Sequence, residues 1–261
     1  MKTVVSFLLF FLFFPLFVEA QEIIRPPIKQ AIPFSAGENL TYQVKYGFLV
    51  GGTATFSLTE QVYQKKTVFY AKAVGRSSGI ANAIYRVKDS YESWFDKKTT
   101  LPYKQVRNIS EGRYTLYNEV TYNRGNNTVN SKISGKHKVP EKILDLCSMF
   151  YYIRRIDFSK LEEGDVVALN MYFADEIFPS HIRYLGKETI KTANGKVRCI
   201  KVSPLVEVGR MFKTEDDLTI WFTDDENSLP ALVKMDLRVV GAVVLKLVKN
   251  ENVSDSLLVR K

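Results

Sequence analysis

Cysteine and histidine are nearly absent: Cys147, Cys199, His137 and His181 are the whole complement of this 261-residue chain. Two cysteines are too few to staple a disulfide scaffold. The histidines lie far from any cysteine pair or Glu-x-x-His spacing, so the three or four ligands of a zinc site do not assemble. Ser148 has no Gly-x-Ser-x-Gly elbow around it and no histidine obviously beside it, which argues against a serine hydrolase. Beyond residue 20 no run approaches the ~20 apolar residues of a membrane-spanning helix. No Pro/Gly/Ser-rich stretch divides the remainder into two domains. The basic residues are scattered rather than clustered, a poor footprint for nucleic acid. We therefore expect no metal, no cofactor and no enzymatic activity.

What is present begins with an address. Lys2 supplies a positive start, Val4 to Phe17 an apolar run, and Val18-Glu19-Ala20 the small or branched residues a signal peptidase requires. Residues 1–20 read as a signal peptide, which sends the protein to the periplasm or outer envelope of a bacterium. Cleavage before Gln21 leaves no transmembrane segment. With 46% hydrophobic and 25% charged residues the remainder can bury a normal core. Its formal charge of +9 favours acidic neighbours such as anionic lipid or an acidic envelope protein.

Residues 21–36, with Pro26, Pro27 and Pro33, read as an extended N-terminal segment. Residues 37–249 read as one β-rich domain. Leu40, Tyr42, Val44 and Tyr46 alternate with Thr41, Gln43 and Lys45, as a half-buried strand requires, and these four should share a buried face. Similar alternation recurs through Tyr114–Tyr122, Leu218–Phe222 and Val233–Val239. Arg124-Gly125-Asn126-Asn127 and Asn194-Gly195 mark hairpin reversals, and Gly241 a bulge or bend. Between the β halves, Pro140 to Arg155 predicts one amphipathic helix over 140–156. Ile143, Leu146, Cys147, Phe150, Tyr151 and Arg154 share its face, and the terminal arginines suit its negative end. The fold expected is mainly β: a strongly curved antiparallel sheet or (half-)barrel with one helix inserted near the middle. Residues 250–261 read as a flexible C-terminal tail.

The order of short motifs resembles one family. Phe34-x-x-Gly37-Glu38-x-Leu40-x-Tyr42 comes first, with Gly47 and Gly51-Gly52 after it. Asp145-x-x-Ser148-x-x-Tyr151-Tyr152-x-Arg154 and Gly186-Lys187-Glu188 follow. Trp221-x-Thr223-Asp224-Asp225-x-x-x-x-Pro230 and Gly241 complete the set. Together, over residues 34–248, they resemble the bacterial exported domain-of-unknown-function 3108 family. The resemblance implies an exported β-rich protein and no assigned activity. A looser likeness to periplasmic half-barrel carriers of lipids or lipoproteins rests on fold analogy alone.

Two functions follow. The first is a non-catalytic binding module or carrier for an apolar, lipid-like ligand. Its cavity would be walled by Tyr46, Trp94, Phe150, Tyr151 and Phe173. The alternative is a structural or protein-interaction module of the cell envelope with a filled core. Asp224-Asp225 and Asp175-Glu176 read as turn residues rather than catalytic pairs. Arg154-Arg155 suit helix charge compensation or an anionic head group. Cys147 and Cys199 are expected as buried free thiols, with a Cys147–Cys199 disulfide as the alternative that an oxidising compartment permits.

Overall fold

The computed structural model describes residues 23–192, 195–205, 212–238 and 241–253. The signal peptide read over residues 1–20 lies outside them, as does the tail beyond Val253. The chain enters through β1 (Ile23–Ile24), β2 (Asn39–Tyr46), β3 (Leu49–Tyr63) and β4 (Lys66–Ser77). A short α1 (Gly79–Ile84) leads to β5 (Lys88–Phe95), β6 (Pro102–Glu111), β7 (Tyr114–Asn123), β8 (Thr128–Ser131) and β9 (Gly135–Lys138). After α2 (Leu146–Arg154) come β10 (Val166–Val167), β11 (Asn170–Phe173) and β12 (Glu176–Pro179). The last five are β13 (Ile182–Thr192), β14 (Gly195–Pro204), β15 (Leu218–Thr223), β16 (Pro230–Leu237) and β17 (Gly241–Glu251).

Among the described residues, fifteen of these strands form one sheet. Its order is β1-β10-β13-β14-β15-β16-β17-β2-β3-β4-β5-β6-β7-β8-β9. The sheet is large and curved but does not close into a barrel, since β1 and β9 remain edges. It is two meanders stitched by β17 against β2, where Leu245 faces Val44 and Leu247 faces Tyr42. Strand β1 pairs in parallel with β10, so the N-terminal segment is partly built into the sheet rather than merely extended. β11 and β12 form a separate hairpin whose turn, Ala174-Asp175, takes the left-handed conformation.

Period-2 patterning explains the faces. Leu58, Ala71, Ser93, Gln105, Val120 and Ser131 are opposed residue by residue across β3 to β8, and all are buried. Against this inner face lies α2, and its side chains join three separate clusters. Met149, Tyr152 and Ile153 pack on β13, β14 and β15. Cys147 and Tyr151 pack on β3, β4 and β5, and Phe150 reaches Leu40 and Tyr42. The expected helix near the middle of the chain is present but differs in two respects. It starts at Leu146, because residues 141–145 form a turn and bridge ahead of the cap. It is also buried almost all round, as a helix must be when a sheet curls about it.

The buried face predicted for β2 is real at Leu40 and Tyr42 and fails at Tyr46, which is 40% exposed. A bulge between Val44 and Lys45 interrupts the pairing with β3 there. The Tyr46 ring lies over Gly51, where an added Cβ would fall 2.3 Å from it. Gly241, at a positive φ of 76°, opens β17 directly opposite Leu237, a reversal rather than an interruption within a strand. The Asn194-Gly195 reversal joins paired strands, Thr192 facing Gly195, although Asn194 itself lies outside the described residues. Asn250 and Glu251 belong to β17, and the Asn252 side chain donates to the Gly37 carbonyl. The tail is therefore structured through these residues instead of fraying from 250.

Candidate functional site

Helix α2 is fixed at its start by Asp145. The Ser148 amide donates to Asp145 Oδ1 at 2.7 Å, and the Ser148 hydroxyl accepts from the Asp145 amide at 2.9 Å, a reciprocal cap. The Ser93 hydroxyl donates to Asp145 Oδ2 at 2.6 Å, tying the cap to β5. Burial pushes the Asp145 carboxyl up to about 6, although the bonds from Ser148 and Ser93 oppose it.

At its other end Arg154 is fully buried. Its guanidinium grips Glu38 through two bonds of 2.6 and 2.7 Å and donates to the Pro33 carbonyl at 3.0 Å. It also donates to the Asn227 carbonyl from Nε and Nη2. Phe34 and Tyr151 lie 5.3 and 5.4 Å from the cation. Burial disfavours the charged guanidinium, but the Glu38 carboxylate more than offsets this and holds the proton firmly. Arg155 is used in the same way, donating to the Lys98 carbonyl and the Thr100 hydroxyl. Neither arginine is presented to a head group.

The carbonyl offered by Asn227 depends on its turn. Asp225 Oδ1 accepts from the Thr223 hydroxyl and from the amides of Asn227 and Ser228. The Thr223 hydroxyl accepts from the Leu229 amide. The expectation that Asp225 serves a turn agrees with this geometry. Asp175 behaves alike, accepting from Asn118 and from the Tyr172 hydroxyl. The three scattered motifs around Glu38, Arg154 and Asp225 thus converge on one buried lock that seats the helix in the sheet.

Of the five predicted cavity residues, the structure brings Phe150 and Tyr151 together, 5.1 Å apart, on the inner face. They fill it rather than line a void: Phe150 stacks on Phe56 at 4.2 Å, while Tyr151 meets Phe34 and Phe95. Phe173, on the β11–β12 hairpin, packs with Tyr91 and lies under the Arg107 guanidinium. Tyr46 is the exposed last residue of β2 and joins none of the clusters that the helix enters. Trp94 lies on the opposite face, because Ser93 and Phe95 take the inner positions on either side of it. Cys147 and Cys199 are buried free thiols in different clusters. Burial pushes both thiols up, Cys199 to about 12.

The outer face carries a feature that the sequence did not disclose. Trp94 packs against Tyr70, and Tyr63 lies between Trp94 and Tyr103 at 6.5 and 6.2 Å. Lys104 covers Trp94, while Lys66 and Arg124 cover Tyr103. Beside this stack opens a cleft of about 750 Å3, into which Tyr63, Tyr103, Lys66, Arg124 and Lys136 face. Tyr103 donates to Asp96 Oδ2 at 3.0 Å, and burial together with that carboxylate raises its hydroxyl. The cations come from four separate segments, so no run in the sequence signals them. The only local hint is aromatic content on both faces of β4 and β5.

A family model described as a protein of unknown function, DUF3108, matches residues 41–248. No curated protein matches the chain. A solved structure of a beta-barrel-like protein of domain of unknown function DUF1849 from Brucella abortus is similar, with a TM-score of 0.52 at 10% identity. The match covers 87% of this chain and 98% of that one, and at such identity it speaks to the fold alone. A DUF1089 family protein from Pseudomonas aeruginosa is more distant, with a TM-score of 0.36 and 12% identity over 67% of this chain and 87% of its own.

Proposed function

We propose, for a chain that belongs to the DUF3108 family of proteins of unknown function, that it is a non-catalytic binding module of the bacterial envelope that works from its outer surface. Export rests on residues 1–20. The observation that carries the reading is the occupied inner face: α2, locked by Arg154 and Glu38, puts Phe150 and Tyr151 where an enclosed apolar ligand would lie. An apolar carrier would need that space vacated at the expense of a buried ion pair. The filled-core alternative is therefore the better supported of the two expected from the sequence. A non-catalytic role is supported by the employment of the candidate groups. Ser148 caps a helix, Asp225 organises a turn, and His137 is half-buried, packed near Tyr172 and bonded to Ser134.

The cleft beside Tyr103 is where such a module would hold a polar anionic ligand. Its three cations offer charge, and Tyr63 and Tyr103 offer ring faces. Titration with a phosphorylated disaccharide, followed by tryptophan fluorescence, checks this through Trp94, which packs near the cleft's Tyr63. Saturable binding is expected, weakened about tenfold or more when Lys66 and Lys136 are both replaced by alanine. No saturable change, or an unaffected double variant, would sink the assignment.

A further inference from the structure

Strand β3 spans roughly 50 Å, and the cleft lies at its Tyr63 end. The Leu49 end is chemically different. There the β2–β3 hairpin exposes Phe48 (90%), Leu49 and Val50, α1 beside it exposes Ile80 (73%) and Ile84 (80%), and Tyr85 follows at its end. Hydrogen bonds hold these into one surface. The Ser78 amide donates to the Gly51 carbonyl, joining α1 to the hairpin. The Tyr85 hydroxyl donates to the Glu111 carbonyl, and the Gly112 amide to the Arg86 carbonyl, which brings in the β6–β7 turn. The Gly47 amide donates to the Ala242 carbonyl at the start of β17. Large apolar side chains gathered at a sheet end, pointing away from the core, mark a contact surface.

Charge identifies what it contacts. From Lys45 to Thr59 and from Arg76 to Lys88 the chain contains no carboxylate. Arg76, Arg86, Lys88 and Arg113 are exposed around the apolar tip, and among the described residues none of them forms an ion pair. The carboxylates beside the tip are withdrawn, Asp89 buried and Glu111 half-buried next to it. An apolar wedge bordered by these four exposed cations matches the layered chemistry of a bilayer surface, with acyl chains beneath and anionic head groups around. We propose that this end docks the protein on an anionic membrane, Phe48 and Ile84 entering the acyl boundary while Arg86 and Arg113 meet the head groups. The docking is independent of the cleft at the other end, which it leaves facing away from the bilayer.

The test uses the processed chain as isolated, with an environment-sensitive dye at Phe48→Cys; Cys147 and Cys199 are buried and take no label. Vesicles of phosphatidylglycerol should raise the emission several-fold at low salt and much less at high salt. The same dye at Val62→Cys, exposed at the far end of β3, should not respond. Replacing Arg86 and Arg113 by serine should weaken vesicle binding more than about tenfold, with melting unchanged because both are exposed. The proposal is overturned by a silent Phe48 label, by an equal response at Val62, or by binding that neutral phosphatidylcholine supports as well. A lipid-independent response that grows with protein concentration overturns it too, since a second copy would then cover the tip.

Discussion

Replacing Arg154 by methionine should lower the unfolding free energy by about 3–5 kcal/mol, because it strands the buried Glu38 carboxylate without its partner. The loss is that large because one side chain ends three connections at once. Glu38 immediately precedes β2, Pro33 lies in the N-terminal segment, and Asn227 sits in the β15–β16 turn. Glu38→Gln should cost less, since the amide still accepts a bond from the guanidinium. The double variant, methionine at 154 with glutamine at 38, should recover much of the single-variant loss, as replacing a buried ion pair by uncharged groups of similar volume is often near neutral. Chemical denaturation of the four proteins at neutral pH gives the cycle. An Arg154→Met protein as stable as the parent would mean that the helix is not locked by this pair.

The second large effect separates neighbours. Phe95 is fully buried against Phe69 and Tyr151, so Phe95→Ala should cost about 3–5 kcal/mol through lost transfer energy and the cavity left behind. Trp94, a larger residue one position earlier, packs on the outer face with Tyr70 and Lys104. Trp94→Ala should cost about 1 kcal/mol or less, the scale of cross-strand pairs. Thermal and urea unfolding of the two variants reads the difference. Equal losses, or the reverse order, would mean that β5 presents its other face to the core.

That pair also shows how far the sequence could be read. Alternation located β2, β7, β15 and β16, because a half-buried strand writes its period into adjacent residues. The turns at Arg124–Asn127 and Asp175 were legible for the same local reason. The sidedness of β5 was not: Tyr70 and Trp94 on one face and Phe69 and Phe95 on the other give the pattern no polar side. The start of α2 was misplaced because proline at 140 resembles a helix opening, whereas Asp145 and Ser148 form the cap with serine in the position where glutamate or glutamine is commoner. The individual motif residues were visible, but their convergence was not. Glu38 and Arg154 stand 116 residues apart, and nothing local says that they meet. The basic cleft was hidden because it is assembled across strands.

The inner face of the sheet is filled by the protein's own helix and aromatic side chains. Native mass spectrometry with lipid extraction, on protein recovered gently from its own envelope, tests this most directly. The expected mass is that of the processed polypeptide, with no acyl-chain or other apolar molecule near one per chain. A stoichiometric apolar passenger, retained through purification and lost on unfolding, would contradict it and return the carrier reading.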